Sequence, residues 1–149
     1  MGRKIIVFLF LLSLWYISSL LFPFNSAFYN TLSISSIIPS VKVIKIIWFI
    51  VFICNTLAYY FLIKDYDMND DFNFVMILNY MFCELYPLFF FFFNSLTLSM
   101  ICSVVVAVST IFLFNETKKI NKQLAYLFIP YLIWGFISLT FSISIYLIN

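Results

Sequence analysis

Apolar residues run along this chain in blocks of about twenty, the length that crosses a bilayer as a helix. The blocks are separated by short clusters of charge, asparagine and proline. The first covers about 5–24 and closes near Pro23, and the second covers 43–63 between Lys42 and Lys64. The third covers 72–93, the fourth 96–114 and the fifth 124–148. Only Asn94 and Ser95 separate the third block from the fourth, which predicts a close antiparallel hairpin. The blocks lack period-two alternation and are about twice too long for barrel strands. The pattern therefore predicts an all-α integral membrane protein: one domain, 1–149, folded as a bundle of five transmembrane helices. Arg3 and Lys4 precede the first block as in a signal peptide. That block is too long for a signal core and no small-residue cleavage site follows it, so it is read as a retained span.

The connection 25–41, NSAFYNTLSISSIIPSV, is the one long loop. It is neither charged nor of flexible-linker composition, and Phe28, Tyr29, Leu32, Ile37 and Ile38 are poorly suited to water. It reads either as a lid folded over one end of the bundle or as a segment lying among headgroups.

Composition agrees with the spans. Of 149 residues, 65% are hydrophobic and 9% charged, and mean hydropathy is +1.11. A soluble domain carries about a quarter charged residues, so the solvent here is lipid. The absence of histidine excludes histidine zinc sites, Ser-His triads and the usual histidine haem ligand. Cys54, Cys83 and Cys102 are far apart in apolar runs, which supports neither disulfides nor a metal knuckle. No metal site, no required cofactor and no nucleic-acid partner is expected. The acidic run Asp65–Asp71 resembles the start of a calcium loop, but Asp70 stands where the turn needs glycine and Met76 where the closing glutamate belongs. Basic residues set the orientation. With a cytoplasmic N-terminus, Arg3, Lys4, Lys64, Lys118, Lys119 and Lys122 fall inside and only Lys42 and Lys45 outside, which places the C-terminus outside the cell membrane.

The helix faces carry the candidate chemistry. Ser95, Ser99, Ser103 and Ala107 recur every fourth residue of the fourth span, a small-residue stripe suited to close helix packing. On the fifth span Trp134 heads a similar stripe, Ser138, Ser142 and Tyr146. Pro130, one turn before Trp134, is expected to bend that helix. An indole inside a bundle needs a partner for its N–H or a flat ligand to stack on. Trp48, near the start of the second span, is either an interfacial anchor or a second wall of the same site. Asn79, Cys83 and Pro87 share a stripe on the third span, and an amide at that depth should face the bundle. Glu84, near mid-span with no Lys or Arg within eight residues, either carries a proton and bonds a serine of the fourth span or faces a wet cavity.

The stretches LNYMFCELYPLFFF on the third span and LAYLFIPYLIWGFISLTFSISIYLIN on the fifth resemble the TspO/MBR family of tryptophan-rich sensory and translocator proteins. WYISSLLFP at Trp15–Pro23 is similar to the beginnings of its Gram-positive members. The resemblance covers nearly the whole chain and rests on the order and spacing of these motifs. It implies a five-helix bundle, often a homodimer, in the lipid bilayer, that binds porphyrins or other flat hydrophobic ligands under the first loop. It assigns Trp48, Asn79, Cys83 and Trp134 to the pocket, Phe52 and Tyr131 to its walls, and Tyr29 and Pro39 to the lid. Cys83 and Ser142 stand where family members often carry asparagine, and the first loop keeps only Pro39 of a Pro- and Trp-rich segment. Trp134 and Trp48 would form facing walls, with Asn79 as a polar tether. The function implied is binding or sensing of a porphyrin-like ligand. The alternatives are light-dependent porphyrin degradation, in which no histidine could act as base, and small-molecule transport through Glu84.

Overall fold

The computed structural model describes residues 2–149, with side chains from Lys4 onward. The side chain of Arg3, counted above toward orientation, lies outside the described residues. All described regular structure is helical: α1 Gly2–Leu14, α2 Ile17–Leu21, α3 Ser26–Tyr29, α4 Val41–Asp65, α5 Asp70–Pro87, α6 Leu96–Ile120, α7 Lys122–Tyr126 and α8 Ile129–Ile148. Four stretches are long and apolar enough to cross a membrane: Val41–Asp65, Asp70–Phe92, Leu96–Ile120 and Lys122–Ile148.

The first block departs from the expected continuous span. α1 has 13 residues, a rise of about 20 Å, short of a bilayer core of about 30 Å. The chain then turns at Trp15–Tyr16 before α2 begins. No proline or glycine marks the turn. α5 holds it instead: Tyr80 donates its hydroxyl to the Leu14 carbonyl at 2.9 Å, and the Ser18 N–H donates to Glu84 Oε2 at 2.8 Å. One side chain thus satisfies a helix C-terminus and its neighbour one turn on satisfies a helix N-terminus, groups that are expensive to leave unpaired in lipid.

The other interruptions have local causes. Asn69 caps α5 by accepting from Phe72 N–H at 2.8 Å, and Asp70 and Asp71 occupy the favourable first turn. After Pro87 the helix widens into a π-turn over Leu88–Phe92. Asn94 adopts a left-handed conformation, with a φ of 52°, and reverses the chain into α6, giving the expected hairpin. Pro130 does not bend a continuous helix as expected. The chain turns at Leu127–Phe128, and Pro130 sits in the first turn of α8, where a missing N–H costs nothing.

Polarity is arranged for lipid. Ile101, Val104, Val108 and Phe112 of α6 face outward, while Ser99, Ser103, Ser109, Thr110 and Thr117 of the same helix are buried. Exposed apolar residues are the natural surface when the surroundings are acyl chains. Gly135 of α8 lies over Ala107 of the small-residue stripe, where an added Cβ would stand 3.9 Å from the Ala107 Cα. The connection 25–41 folds against the end of the α5–α6 hairpin. Asn25 caps α3 and also reaches the Phe91 carbonyl at 3.3 Å, and Phe28 packs on Phe90 with centroids 5.7 Å apart. At the chain's last residue, Asn149 accepts from Ser33 N–H at 2.7 Å and donates to the Ser33 carbonyl at 3.1 Å.

Candidate functional site

Beneath that connection lies a cavity of about 690 Å³, bounded by the turn at Trp15–Tyr16 and by α2, α4, α5, α6 and α8. Its size falls within the range of about 300–1,000 Å³ common to small-molecule sites. Trp48, Phe52, Cys83, Glu84 and Trp134 all line it, and Tyr29 and Ile38 reach it from the connection. Burial pushes the Tyr29 phenol above its ordinary pKa.

The tryptophans converge, though not as the expected facing walls. Trp48 and Trp134 meet edge to face, with centroids 6.5 Å apart and planes at 81°. A ring sandwiched between them would need parallel faces about 7 Å apart, twice a carbon contact distance. The pair therefore makes a corner. Trp134 is 95% buried by its 5% exposure, and its Nε1 has no hydrogen-bond partner among the described residues.

A third indole, Trp15, was not expected here. It stacks on Phe52 at 5.1 Å and 14°, and meets Tyr80 and Tyr131 edge-on at 5.4 and 6.3 Å. Trp15 also lines the cavity. The turn after α1 is what swings this ring inward, and a sequence reading that treats the first block as an unbroken helix cannot find it. The one available signal was tryptophan within the WYISS stretch, ten residues into a span.

Asn79 and Tyr131 take a different place from the one expected. Neither lines the cavity; both are fully buried behind its wall. Asn79 Nδ2 donates to Val106 O at 3.2 Å, Ser109 Oγ at 2.8 Å and Thr110 Oγ1 at 3.0 Å, two hydrogens shared among three acceptors. Its Oδ1 accepts from the Tyr131 hydroxyl at 2.8 Å. The amide faces the bundle, as expected, but its capacity is consumed in tying α5 to α6 and α8. It cannot act as a ligand tether without breaking that knot. Pro39 is half-buried in the connection and does not line the cavity, whereas Tyr29 does.

Glu84 faces the cavity, one of the two outcomes expected. Its protein partner is the Ser18 backbone of α2 rather than a serine of the fourth span. Ser18, Ser19, Ser103 and Ser138 add hydroxyls, and Lys45 and Glu84 charge, to a lining that is mostly apolar and aromatic.

The TspO/MBR family profile matches residues 5–147. Over 147 residues the chain is 32% identical to the tryptophan-rich protein TspO of Bacillus cereus, covering 98% of this chain and 96% of that protein. It is 27% identical over 145 residues to a Bacillus subtilis protein named as the uncharacterized membrane protein YtaB, covering 96% and 94% respectively.

Proposed function

Because the chain belongs to the TspO/MBR family of membrane proteins, we propose that it is a membrane-embedded binding or sensory protein for flat hydrophobic ligands of the porphyrin type. The observation that carries this reading is the cavity walled by Trp15, Trp48, Phe52 and Trp134. Aromatic walls with a few placed polar groups suit a ligand that is apolar on its face and polar at its edge. Such a ligand lies against the Trp15–Phe52 stack, with its acidic groups toward Lys45 near the start of α4. The connection 25–41 acts as its cover. α1 and α2 together form a fifth crossing, the N-terminus is cytoplasmic, and two copies pair in the bilayer.

Quenching of intrinsic fluorescence by protoporphyrin, titrated into the purified protein in detergent, tests this reading. Trp134→Ala removes one fluorophore and also a wall. The expected result is an affinity reduced at least about tenfold, beyond the loss of signal from one indole. Unchanged affinity in that variant overturns the assignment.

A further inference from the structure

The charge inside the cavity narrows the ligand class, an inference that rests on the cavity reading above. Two charged side chains line the chamber, Lys45 and Glu84. Lys45 is exposed, one turn into α4, with Nζ 5.5 Å from the Phe24 ring centroid. Glu84 lies deeper, two turns before the end of the π-turn on α5. The ion pairs among the described residues are Lys64–Asp65 and Lys119–Glu116, so none neutralises Glu84. Its Oε2 accepts from Ser18 N–H at 2.8 Å, and the side chain lines the cavity. A carboxyl group at membrane depth without a cation is costly unless something satisfies it. Trp15, Tyr16, Trp48 and Phe52 line the same chamber, and aromatic ring faces carry the negative quadrupole that attracts cations.

We propose that the cavity takes planar aromatic cations: flat ring systems with a protonated nitrogen that donates to the Glu84 carboxyl group while the ring lies on the aromatic wall. The chamber is thus polarised, with Lys45 receiving acidic edges at its mouth and Glu84 receiving basic nitrogen within.

The probes are proflavine, a planar acridine that is cationic at neutral pH, neutral anthracene of similar outline, and protoporphyrin. Each is titrated into the full chain in detergent, with fluorescence quenching as the readout. Proflavine is expected to bind at least about tenfold more tightly than anthracene to the unaltered protein. Glu84→Gln keeps an acceptor for Ser18 N–H, and circular dichroism checks that the fold survives. That variant is expected to weaken proflavine at least about tenfold more than it weakens protoporphyrin. Equal weakening of both, or unchanged proflavine binding, overturns the role of Glu84 while leaving the cavity reading standing. If Glu84→Gln does not fold, the comparison in the unaltered protein decides, and anthracene binding as tightly as proflavine overturns the proposal. Glu84-dependent proflavine binding without protoporphyrin binding upholds the cation site and removes the tetrapyrrole reading. Binding of neither overturns both.

Discussion

Truncating Asn79 to alanine should cost far more than a surface change, and most of the cost should come from a group on another helix. The Asn79 amide reaches α6 through Val106, Ser109 and Thr110, and α8 through Tyr131. The Ser109 and Thr110 hydroxyls each donate to the Val106 carbonyl, at 3.2 and 2.7 Å, so both keep a partner when the amide is removed. Tyr131 does not. Its fully buried hydroxyl has Asn79 as its hydrogen-bond partner, and leaving such a group unpaired costs about 1–3 kcal/mol. The lost bonds to α6 add about 0.6 kcal/mol each, the membrane average. Asn79→Ala should therefore destabilise the bundle by about 3–5 kcal/mol. Tyr131→Phe removes the donor and orphans only Oδ1, for about 1–2 kcal/mol. The double variant should recover a coupling of about 1–1.7 kcal/mol, because the two orphaned groups vanish together. Reversible unfolding in mixed micelles by added dodecyl sulfate, followed by circular dichroism, measures all three. A cost for Asn79→Ala below about 0.5 kcal/mol, or additivity within about 0.3 kcal/mol, would refute the reasoning.

Three further outcomes follow from the packing. Gly135→Ala should stabilise α8 by about 0.5–1 kcal/mol, because alanine is the better helix former and its Cβ meets Ala107 at an ordinary contact distance; a fall in thermal midpoint would contradict this. Asn149→Ala removes both bonds to Ser33 and should speed amide exchange in the connection 25–41 by about tenfold; unchanged exchange would show that the contact does not hold the connection. Tyr80→Phe removes the bond to the Leu14 carbonyl and should cost about 1–2 kcal/mol; a stability unchanged within about 0.3 kcal/mol would mean the turn after α1 is held by other contacts.

Much of this architecture is legible in the residue pattern, because lipid imposes strict rules on span length and polarity. The second, third and fourth blocks correspond closely to helical stretches, and Asn94–Ser95 marks the reversal between α5 and α6. Convergence of Trp48 and Trp134 on one hollow was expected from the family resemblance, whereas depth alone left Trp48 open to an interfacial-anchor reading. What was not readable depends on contacts distant in sequence. The turn at Trp15–Tyr16 has no local breaker, and its bonds to Tyr80 and Glu84 each span 66 residues. Trp15 therefore looked like one more apolar residue. Asn79 was correctly turned toward the bundle, yet nothing in its own span reveals that Val106, Ser109, Thr110 and Tyr131 are its partners. Pro130 is a different case. Its place in a helix first turn was available from the preference of proline for that position, but the surrounding apolar run masks the turn at Leu127–Phe128.

The central claim is that a ligand occupies the hollow among Trp15, Trp48 and Trp134. Filling the hollow from within tests it most directly. Ser138 is half-buried on α8 and lines the cavity, so Ser138→Phe adds a ring to the space without removing any of the three indoles. With the thermal midpoint held within a few degrees, protoporphyrin affinity measured by fluorescence quenching should fall at least about tenfold. Affinity equal to that of the unaltered protein would contradict the account.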